Sequence, residues 1–175
     1  MKLPAADAKR CINLLSAIDE FVLEIIGFDP FIIFEDQLEI RLRLRTHWQN
    51  KPKIVEKFIK MNSDLPEADI KLIKSWIGRK REIFFVTKHN TENPVFLSAK
   101  SNKIYAPLAL TDDFDELLPY RLPILIETSL IPYKNHIICD GLIIVCVTSL
   151  SKTIAKFLIN ECIKAEKEGK LIACF

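Results

Sequence analysis

Glycine is scarce in this chain of 175 residues, which holds only four. The sequence contains no GxGxxG motif and no other glycine-rich loop, whereas nucleotide enzymes that cradle phosphates in such loops need several glycines close together. This scarcity argues against a nucleotide enzyme of those types. Histidine is nearly as scarce, at three residues, and no Ser/His/Asp or Cys/His catalytic set can be assembled from the spacing.

Long apolar runs are also missing. No stretch approaches the roughly 18 to 20 consecutive apolar residues that a membrane-spanning helix needs. The first residues, MKLPAADAKRCINLL, scatter acidic and basic side chains where a signal peptide has a basic start and a clean apolar stretch. We therefore expect a cytoplasmic protein that does not contact a membrane.

The cysteines lack the pattern of a disulfide framework or a structural zinc site. They are Cys11, Cys139, Cys146, Cys162 and Cys174. Their number is odd, their neighbours are aliphatic, and no Cys-x-x-Cys knuckle is present. His136, Cys139 and Asp140 resemble metal ligands only superficially, because turn and strand-end positions explain them. We expect reduced, buried thiols, no metal and no cofactor.

What the chain does contain is apolar residues, at 49% of the total, a content typical of a packed globule. Its formal net charge is only +2, but the charge is unevenly placed. Residues 1–40 hold three Lys or Arg against eight Asp or Glu, and residues 41–81 hold twelve against four. The basic middle is either an anion-binding surface or a surface that the acidic start neutralises within the fold.

Apolar residues recur at three- and four-residue spacing in four stretches, which predicts helices. These are residues 5–26, residues from Pro52 to Met61, residues 65–77, and residues from about Ser151 to Gly169. Asp64 and Glu67 resemble a capping box for the third of them. A brief helical turn is expected through Leu117 and Leu118.

Residues 31–48 fit two periods. Their alternating apolar positions, which are typical of a strand, are Leu38, Ile40, Leu42 and Leu44. Four-residue ladders such as Phe34/Leu38/Leu42 fit a helix equally well, and the flanking segments are helical. We expect a helix here, with a strand as the alternative.

Beyond Gly78 the period becomes extended. Short strands are predicted over 83–86, 95–97 and 104–110, and a final edge strand over 171–175. The most apolar stretch, residues 123–147, is crowded with β-branched residues and should form two or three consecutive antiparallel strands. Residues 132–135 and 139–141 offer turns between them, and Asp140-Gly141 is a hairpin signal.

The predicted fold class is α+β. N-terminal helices occupy residues 1–78, an antiparallel sheet, with a small barrel as a variant, occupies residues 79–150, and a helix with a short tail closes the fold over residues 151–175. We expect these parts to form a single domain, because no linker composition separates them.

Residues 54–145 also carry a recognisable pattern. It consists of Trp76 at a helix end, an "LP…T.L.P" strand at Leu122, Pro123, Thr128, Leu130 and Pro132, and an "I-I-x-D-G-L" turn over 137–142. This pattern resembles a family of uncharacterised bacterial cytoplasmic proteins over about half of the chain. The basic junction at 78–81 and the absence of a glycine-rich segment after Val147 depart from it. The family has no activity attached, so the resemblance implies a bacterial-type cytoplasmic domain and no catalytic residue.

Glu127 is an unusual residue inside the apolar run ILIETSLI. A carboxylate that points into a core has a raised pKa and is a candidate general acid or base. On a solvated sheet face, or beside a cation, it is an ordinary residue, and this interpretation is favoured. Glu127, His136 and Asp140 are the weak catalytic candidates of a hydrolase-like alternative.

The basic middle supplies the candidates for nucleic-acid binding. They are Arg41, Arg43, Arg45, Lys53, Lys57, Lys60, Arg79, Lys80 and Arg81. Trp48 is available for stacking on bases, and Lys53, Lys57 and Lys60 share one face of a helix. Against this, the sequence pI of about 8.2 falls short of the value above about 9 that is typical of a nucleic-acid-binding domain.

The expected function is therefore a non-catalytic binding or regulatory module with an unidentified protein partner. The two alternatives are a nucleic-acid-binding protein that uses the basic 41–81 face and a hydrolase-like enzyme centred on Glu127, His136 and Asp140. A homodimer formed through an exposed edge such as 171–175 is left open.

Overall fold

A computed structural model of the chain describes residues 1–27, 36–79, 81–88, 94–118, 122–147 and 150–175. The chain divides into two compact units. Pro4–Lys80 form the helical unit, and Met1–Leu3 with Arg81–Phe175 form the sheet unit. The division falls beside the predicted boundary at residue 78. The prediction of a single domain stays a prediction.

The described part of the helical unit contains four helices: α1 Ala5–Ile26, α2 Gln37–Gln49, α3 Pro52–Met61 and α4 Glu67–Trp76. They confirm the predicted N-terminal helices of the α+β class. The apolar stripe of α1 is buried through Val22, but Ile25 and Ile26 at its end are 40% and 48% exposed.

The segment with two periods is helical from Gln37 onward, so the helix prediction is confirmed there, while 31–35 lie outside the described residues. Asp36 caps the helix by accepting a hydrogen bond from the Leu38 main-chain nitrogen at 2.8 Å. Ile40, Leu44 and Trp48 are buried at successive four-residue steps. Ile40 and Leu44, two of the alternating residues that suggested a strand, belong to this buried side of the helix.

The predicted capping box of Asp64 and Glu67 does not form, because Pro66 occupies the N-cap of α4 and makes no side-chain cap bond. A proline disfavours helical backbone in the residue before it, so α4 begins after Pro66 rather than at Leu65. The capping box that the structure contains is at α5, between Asp113 and Glu116.

In the described residues of the sheet unit there are seven strands and two helices. They are β1 Glu82–Thr87, β2 Val95–Ser98, β3 Ile104–Tyr105, α5 Phe114–Leu117, β4 Ile124–Thr128, β5 Leu130–Tyr133, β6 His136–Cys139, β7 Ile144–Val147 and α6 Lys152–Lys167. Five strands form an antiparallel sheet in the order β3-β2-β1-β4-β7, and β5 with β6 forms a separate two-stranded sheet. Within the described ranges no closed barrel forms, so the barrel variant is wrong.

The apolar stretch 123–147 holds four strands rather than two or three, and they are divided between the two sheets. The turn at Lys134 and Asn135 joins β5 to β6 as a hairpin. The Asp140-Gly141 pair does not make a hairpin, because β6 pairs with β5 and β7 pairs with β4. Gly141, at φ 83°, instead lies where the chain leaves the small sheet for the large one.

The large sheet has a core on each face. Phe84, Ile124 and Ile126 point to the face that packs against β5 and β6 residues such as Ile137, whereas Phe85, at the adjacent position, packs against α6. The buried side of α6 includes Leu158, Ile159, Cys162 and Ala165. The closing helix predicted near Ser151 is therefore confirmed, with Ser151 as its N-cap.

The strand predicted over 104–110 ends at Tyr105, because Pro107 has no N–H to donate to a ladder. The tail is not an edge strand either. It makes a single bridge between Ile172 and Tyr105, and the Ala173 oxygen accepts a hydrogen bond from the Ile137 nitrogen at 2.9 Å. The tail main chain therefore contacts two segments of its own unit.

Candidate functional site

Glu127 lies in β4, opposite Ile83 of β1 and Ile144 of β7. Its carboxylate accepts a hydrogen bond from Arg81 Nε at 3.2 Å, and its main-chain oxygen accepts one from Arg81 Nη2 at 2.7 Å. The Glu127 side chain is 38% exposed and that of Arg81 is 7% exposed. Glu127 is therefore a partly exposed carboxylate that is paired with a cation.

Arg81 was a candidate for phosphate contact, but its guanidinium is turned inward. Besides both contacts to Glu127, Nη1 donates to the Leu142 main-chain oxygen at 3.0 Å. A buried guanidinium with three oxygen partners has little surface left for a phosphate. Arg81 is therefore not part of the candidate nucleic-acid face. It belongs to a group in the sheet unit that we call the polar cluster, which also contains Glu127, Thr128, Cys139 and Asp140.

Asp140 belongs to the same polar cluster. Its Oδ1 accepts a hydrogen bond from the Leu142 nitrogen at 3.0 Å and lies 3.4 Å from the Thr128 hydroxyl, which donates to the Leu142 oxygen at 3.1 Å. The residue is only 3% exposed. This is an Asx turn, which holds the chain direction after β6. The sequence marked Asp140 for a hairpin or for catalysis, and the structure uses it to shape this turn.

Cys139 completes the polar cluster, with its Sγ 3.2 Å from the Thr128 hydroxyl. Burial, and after it the nearby Asp140 carboxylate, raises the pKa of the Cys139 thiol to about 12. At neutral pH the sulfur is therefore a protonated thiol and a poor nucleophile. The cluster consists of groups that satisfy one another's hydrogen bonds.

His136 lies apart from this cluster. It is exposed at the start of β6, paired in register with Tyr133. Four residues of extended chain separate it from Asp140, which at about 3.3 Å per residue places the two main chains roughly 13 Å apart. The structure therefore links Glu127 and Asp140 through Arg81 and Leu142 but does not bring His136 to them.

The basic candidates of the helical unit fall into a buried group and a more exposed group. Arg45 is buried at 4% exposure, and its guanidinium donates to both carboxylate oxygens of Asp19, at 3.3 Å and 2.9 Å. Trp48 is fully buried, and its indole Nε1 donates to Asp19 Oδ1 at 2.8 Å. Neither Arg45 nor Trp48 is therefore available to a nucleic acid on the surface.

The remaining cations lie nearer the solvent. Lys53, Lys57 and Lys60 are exposed on α3, at four- and three-residue spacing, with the exposed Glu56 among them. Arg41 and Arg43 are exposed on α2, and Arg79 is half-buried. Lys80 lies outside the described residues. The predicted basic face is thus reduced, and its clearest part is the lysine row of α3.

The role of Asp19 was not predicted from the sequence. This residue lies on the buried side of α1, where it binds Arg45 and Trp48 of α2. The sequence held one signal of this role. Asp19 follows Ile18 and lies one turn after Leu15, so its carboxylate falls at the edge of the apolar stripe of α1. Arg45 was the cation that such a carboxylate needs.

A second surface that the sequence did not single out runs along α6. Ile154, Phe157, Glu161, Lys164 and Glu168 recur at three- and four-residue steps and form one flank, which we call the α6 strip. Ile154 and Phe157 are 52% and 62% exposed, although apolar residues that recur at this spacing usually face a core. The packed side of the helix contacts the sheet, and the strip lies beside that packed side.

The C-terminal half of the strip borders a cleft of about 310 Å³, which we call the α6 cleft. Three aliphatic side chains, Ile104, Ala165 and Ile172, lie in it. Its polar lining consists of Asn102, Lys103, Glu161, Lys164, Glu168 and Lys170. Its volume is at the lower end of the range for small-molecule sites, which is about 300 to 1,000 Å³.

The cysteines and potential metal ligands were also predicted from the sequence. All five cysteines are free thiols, and Cys11, Cys139 and Cys162 are buried. Cys146 and Cys174 are exposed, so the expectation of burial is wrong for these two. Across the described residues, no group of three or more His, Cys, Asp and Glu side chains is arranged to hold a metal ion.

Every helix in the described part of the chain is too short or too polar to cross a bilayer. Comparison with protein-family models, with curated proteins and with solved structures finds no match for this chain. The resemblance carried by residues 54–145 therefore stays a prediction.

Proposed function

We propose that this chain is a non-catalytic binding module that takes a protein partner on the α6 strip. The observation that carries the proposal is the exposure of Phe157 and Ile154 on a helix whose other face is packed. Burying a Phe or Ile side chain contributes roughly 1.5 to 3 kcal/mol relative to leaving it in water. A partner with an apolar patch would gain this stabilisation from two adjacent residues.

The surroundings of this pair support a protein partner. Aromatic residues are enriched at the centres of protein interfaces, and polar residues surround them. Phe157 has Glu161 and Lys164 on its C-terminal side along the strip, so charges of both signs border the apolar pair. A partner surface with alternating charges next to its apolar patch would complement this arrangement.

Site-specific photo-crosslinking tests the proposal. The photoreactive residue p-benzoylphenylalanine replaces Phe157 in the full chain, which is expressed in cells and irradiated. Met61, which is 66% exposed at the end of α3, carries the same residue as the matched control. We expect one discrete adduct from position 157 and none of the same mass from position 61.

The mass of the adduct distinguishes the partners. A species at twice the 20.2 kDa of the chain is a second copy, and any other discrete mass is a different protein. Adding Ile154→Ser to the chain labelled at position 157 should weaken the adduct severalfold. No adduct at 157, or equal adducts at 157 and 61, would contradict the proposal.

A second candidate function is nucleic-acid binding, and the lysine row of α3 favours it. Three exposed lysines on one helix face can contact successive phosphates. The candidate is weaker than it was on sequence alone, because Arg45, Arg81 and Trp48 are engaged inside the protein. Its remaining residues in the described ranges are Arg41, Arg43, Lys53, Lys57, Lys60 and Arg79, and Lys80 stays a candidate outside those ranges.

Fluorescence anisotropy with single- and double-stranded oligonucleotides across a salt series tests this candidate. Reversing Lys53, Lys57 and Lys60 to Glu should abolish binding at low salt if these lysines contact phosphates. Reversing Lys152, Lys156 and Lys167 on α6 is the matched control and should leave binding unchanged. Replacing each single α3 lysine by Met should reduce the salt slope by about one. The absence of binding at low salt would remove this candidate.

The hydrolase-like alternative has a simple test in His136. This side chain is exposed, so His136→Asn should leave the fold intact. The test measures turnover of ester or phosphoester substrates. If the native chain shows turnover and both His136→Asn and Glu127→Gln abolish it, the non-catalytic proposal is overturned. An activity that survives both substitutions would not depend on the set that the sequence suggested.

A further inference from the structure

None of the functions above uses the α6 cleft itself. The lining residues that it shares with the α6 strip are Glu161, Lys164 and Glu168. Aliphatic side chains from three segments line it: Ile104 from β3, Ala165 from α6 and Ile172 from the tail. Main-chain hydrogen bonds fix these segments to one another, since the Ile172 nitrogen donates to the Ile104 oxygen at 2.9 Å and the Lys170 nitrogen donates to the Ala165 oxygen at 2.9 Å. The cleft is therefore built by the fold and does not depend on side-chain positions alone.

The charges around the cleft are of both signs. Lys103, Lys164 and Lys170 carry positive charge, and Glu161 and Glu168 carry negative charge. Glu168 and Lys170 pair with each other at 2.6 Å and neutralise one another. Among the described residues, Lys103 and Glu161 take part in no ion pair. The cleft therefore offers a ligand two cations, Lys103 and Lys164, and one carboxylate, Glu161.

The spacing of these groups selects the ligand. Glu161 and Lys164 are three residues apart on α6, which puts their Cβ atoms about 5 to 6 Å from each other. A ligand that meets both must carry opposite charges only a few ångströms apart. The aliphatic lining requires an apolar body beside those charges. A purely anionic ligand would face Glu161, and a purely cationic one would face Lys103 and Lys164.

We propose that the α6 cleft binds a small zwitterion with an aliphatic side chain, of the class of the free aliphatic amino acids and short dipeptides. The ligand carboxylate lies at Lys103 and Lys164, its ammonium group lies at Glu161, and its side chain lies on Ile104 and Ile172. The inference does not rest on the protein partner proposed for the α6 strip. The strip and the cleft share α6, so such a ligand is placed to influence partner binding.

The test is a titration of the full chain followed by amide chemical shifts, with four probes. L-leucine carries both charges, N-acetyl-leucine lacks the ammonium group, leucinamide lacks the carboxylate, and leucyl-leucine separates the two charges. We expect saturable shifts for leucine at residues 103, 104, 165 and 172. N-acetyl-leucine and leucinamide should each bind at least about tenfold more weakly.

Two variants assign the charges. Lys103→Met should weaken binding of leucine and N-acetyl-leucine but not of leucinamide, because leucinamide has no carboxylate to lose. Glu161→Gln should weaken binding of leucine and leucinamide but not of N-acetyl-leucine. Lys156→Met, also on α6 but outside the cleft, is the matched control and should change none of the affinities.

The outcomes separate clearly. Equal affinities for leucine, N-acetyl-leucine and leucinamide would show that only the apolar lining binds, and they would overturn the proposal, as would saturable shifts confined to other residues or no saturation at all. A leucyl-leucine affinity above that of leucine, with both variant effects retained, would support the zwitterion class and identify a dipeptide as the better ligand. The crosslinking result at Phe157 does not depend on the outcome of this titration.

Discussion

The guanidinium of Arg81 binds Glu127 twice, once at its carboxylate and once at its main-chain oxygen. A third hydrogen bond reaches the Leu142 oxygen, beyond the Asx turn that Asp140 closes. One buried side chain at the start of the sheet unit thereby ties β4 to the segment between the two sheets.

Arg81→Met should destabilise the sheet unit by about 2 to 3 kcal/mol, because two main-chain oxygens lose their donor and a carboxylate loses its cation. Hydrogen exchange of the β1 and β4 amides in the full chain measures the change locally. Arg81→Lys should show an intermediate loss, since a lysine keeps the charge but cannot reproduce three planar contacts.

Glu127→Gln provides the comparison for this pair. The carboxylate is 38% exposed, so solvent screens its attraction to Arg81, and the cost should stay below about 1 kcal/mol. The main-chain contact to Arg81 survives in this variant. A Glu127→Gln cost as large as that of Arg81→Met would show that the carboxylate, rather than the main-chain contacts, holds Arg81.

The sequence predicted most of the helices because their apolar residues have a clear period and clear ends. It even favoured the helix of α2, where Ile40, Leu44 and Trp48 form the buried ladder. It failed where ends depend on a single residue: Pro66 delays the start of α4, and Pro107 ends the strand that begins with Ile104. Such effects are local, and a periodicity window averages over them.

The β stretch and the charges were predicted less well, for a different reason. Whether Asp140-Gly141 makes a hairpin depends on which strand β7 pairs with, and β4 lies far from this turn in sequence. Likewise, whether an arginine faces solvent depends on a partner such as Asp19, 26 residues before Arg45. Composition can count charges, but it cannot assign pairs across the fold.

Asp19→Ala should destabilise the helical unit by about 3 to 5 kcal/mol, because it leaves the buried guanidinium of Arg45 without its carboxylate. Trp48 also loses the acceptor of its indole N–H. Both tryptophans of the chain, Trp48 and Trp76, are buried in the helical unit. Urea unfolding followed by tryptophan fluorescence therefore reports this unit directly.

Glu20→Ala is the matched control for Asp19, since the neighbouring carboxylate is exposed and its loss should cost less than about 0.5 kcal/mol. The double variant Asp19→Leu with Arg45→Met removes both buried charges together. It should recover most of the stability that Asp19→Ala loses. An unchanged free energy of unfolding in Asp19→Ala would show that the buried pair makes no net contribution.

Asp140→Ala should cost about 1 to 3 kcal/mol, because the buried Leu142 N–H then has no acceptor. Asp140→Asn keeps an acceptor oxygen at the same position and should retain most of the stability. Hydrogen exchange at the Leu142 amide distinguishes the two variants, with fast exchange expected in Asp140→Ala only. Equal losses in both variants would mean that the charge, and not the turn bond, stabilises this segment.

Thiol labelling of the native chain at pH 8 should modify Cys146 and Cys174 rapidly and leave the three buried cysteines intact. The pKa of Cys139 is raised to about 12, so only about one molecule in ten thousand carries the thiolate at that pH. Intact-mass spectrometry should show two additions in buffer and five in denaturing urea. Rapid labelling of Cys139 in the folded chain would contradict the packing of the polar cluster around Thr128.

The same raised pKa sets an alkaline limit on stability. The thiol keeps its proton in the folded state above pH 9 and loses it in the unfolded state, so the unfolded state binds fewer protons there. The stabilising contribution of the protonated Cys139 is fully present below about pH 9 and is lost as pH rises towards 12. Cys139→Ala should flatten this decline in the free energy of unfolding, whereas Cys174→Ala, at an exposed position, should leave it unchanged. If the decline has the same slope in both variants, another group titrates in this range.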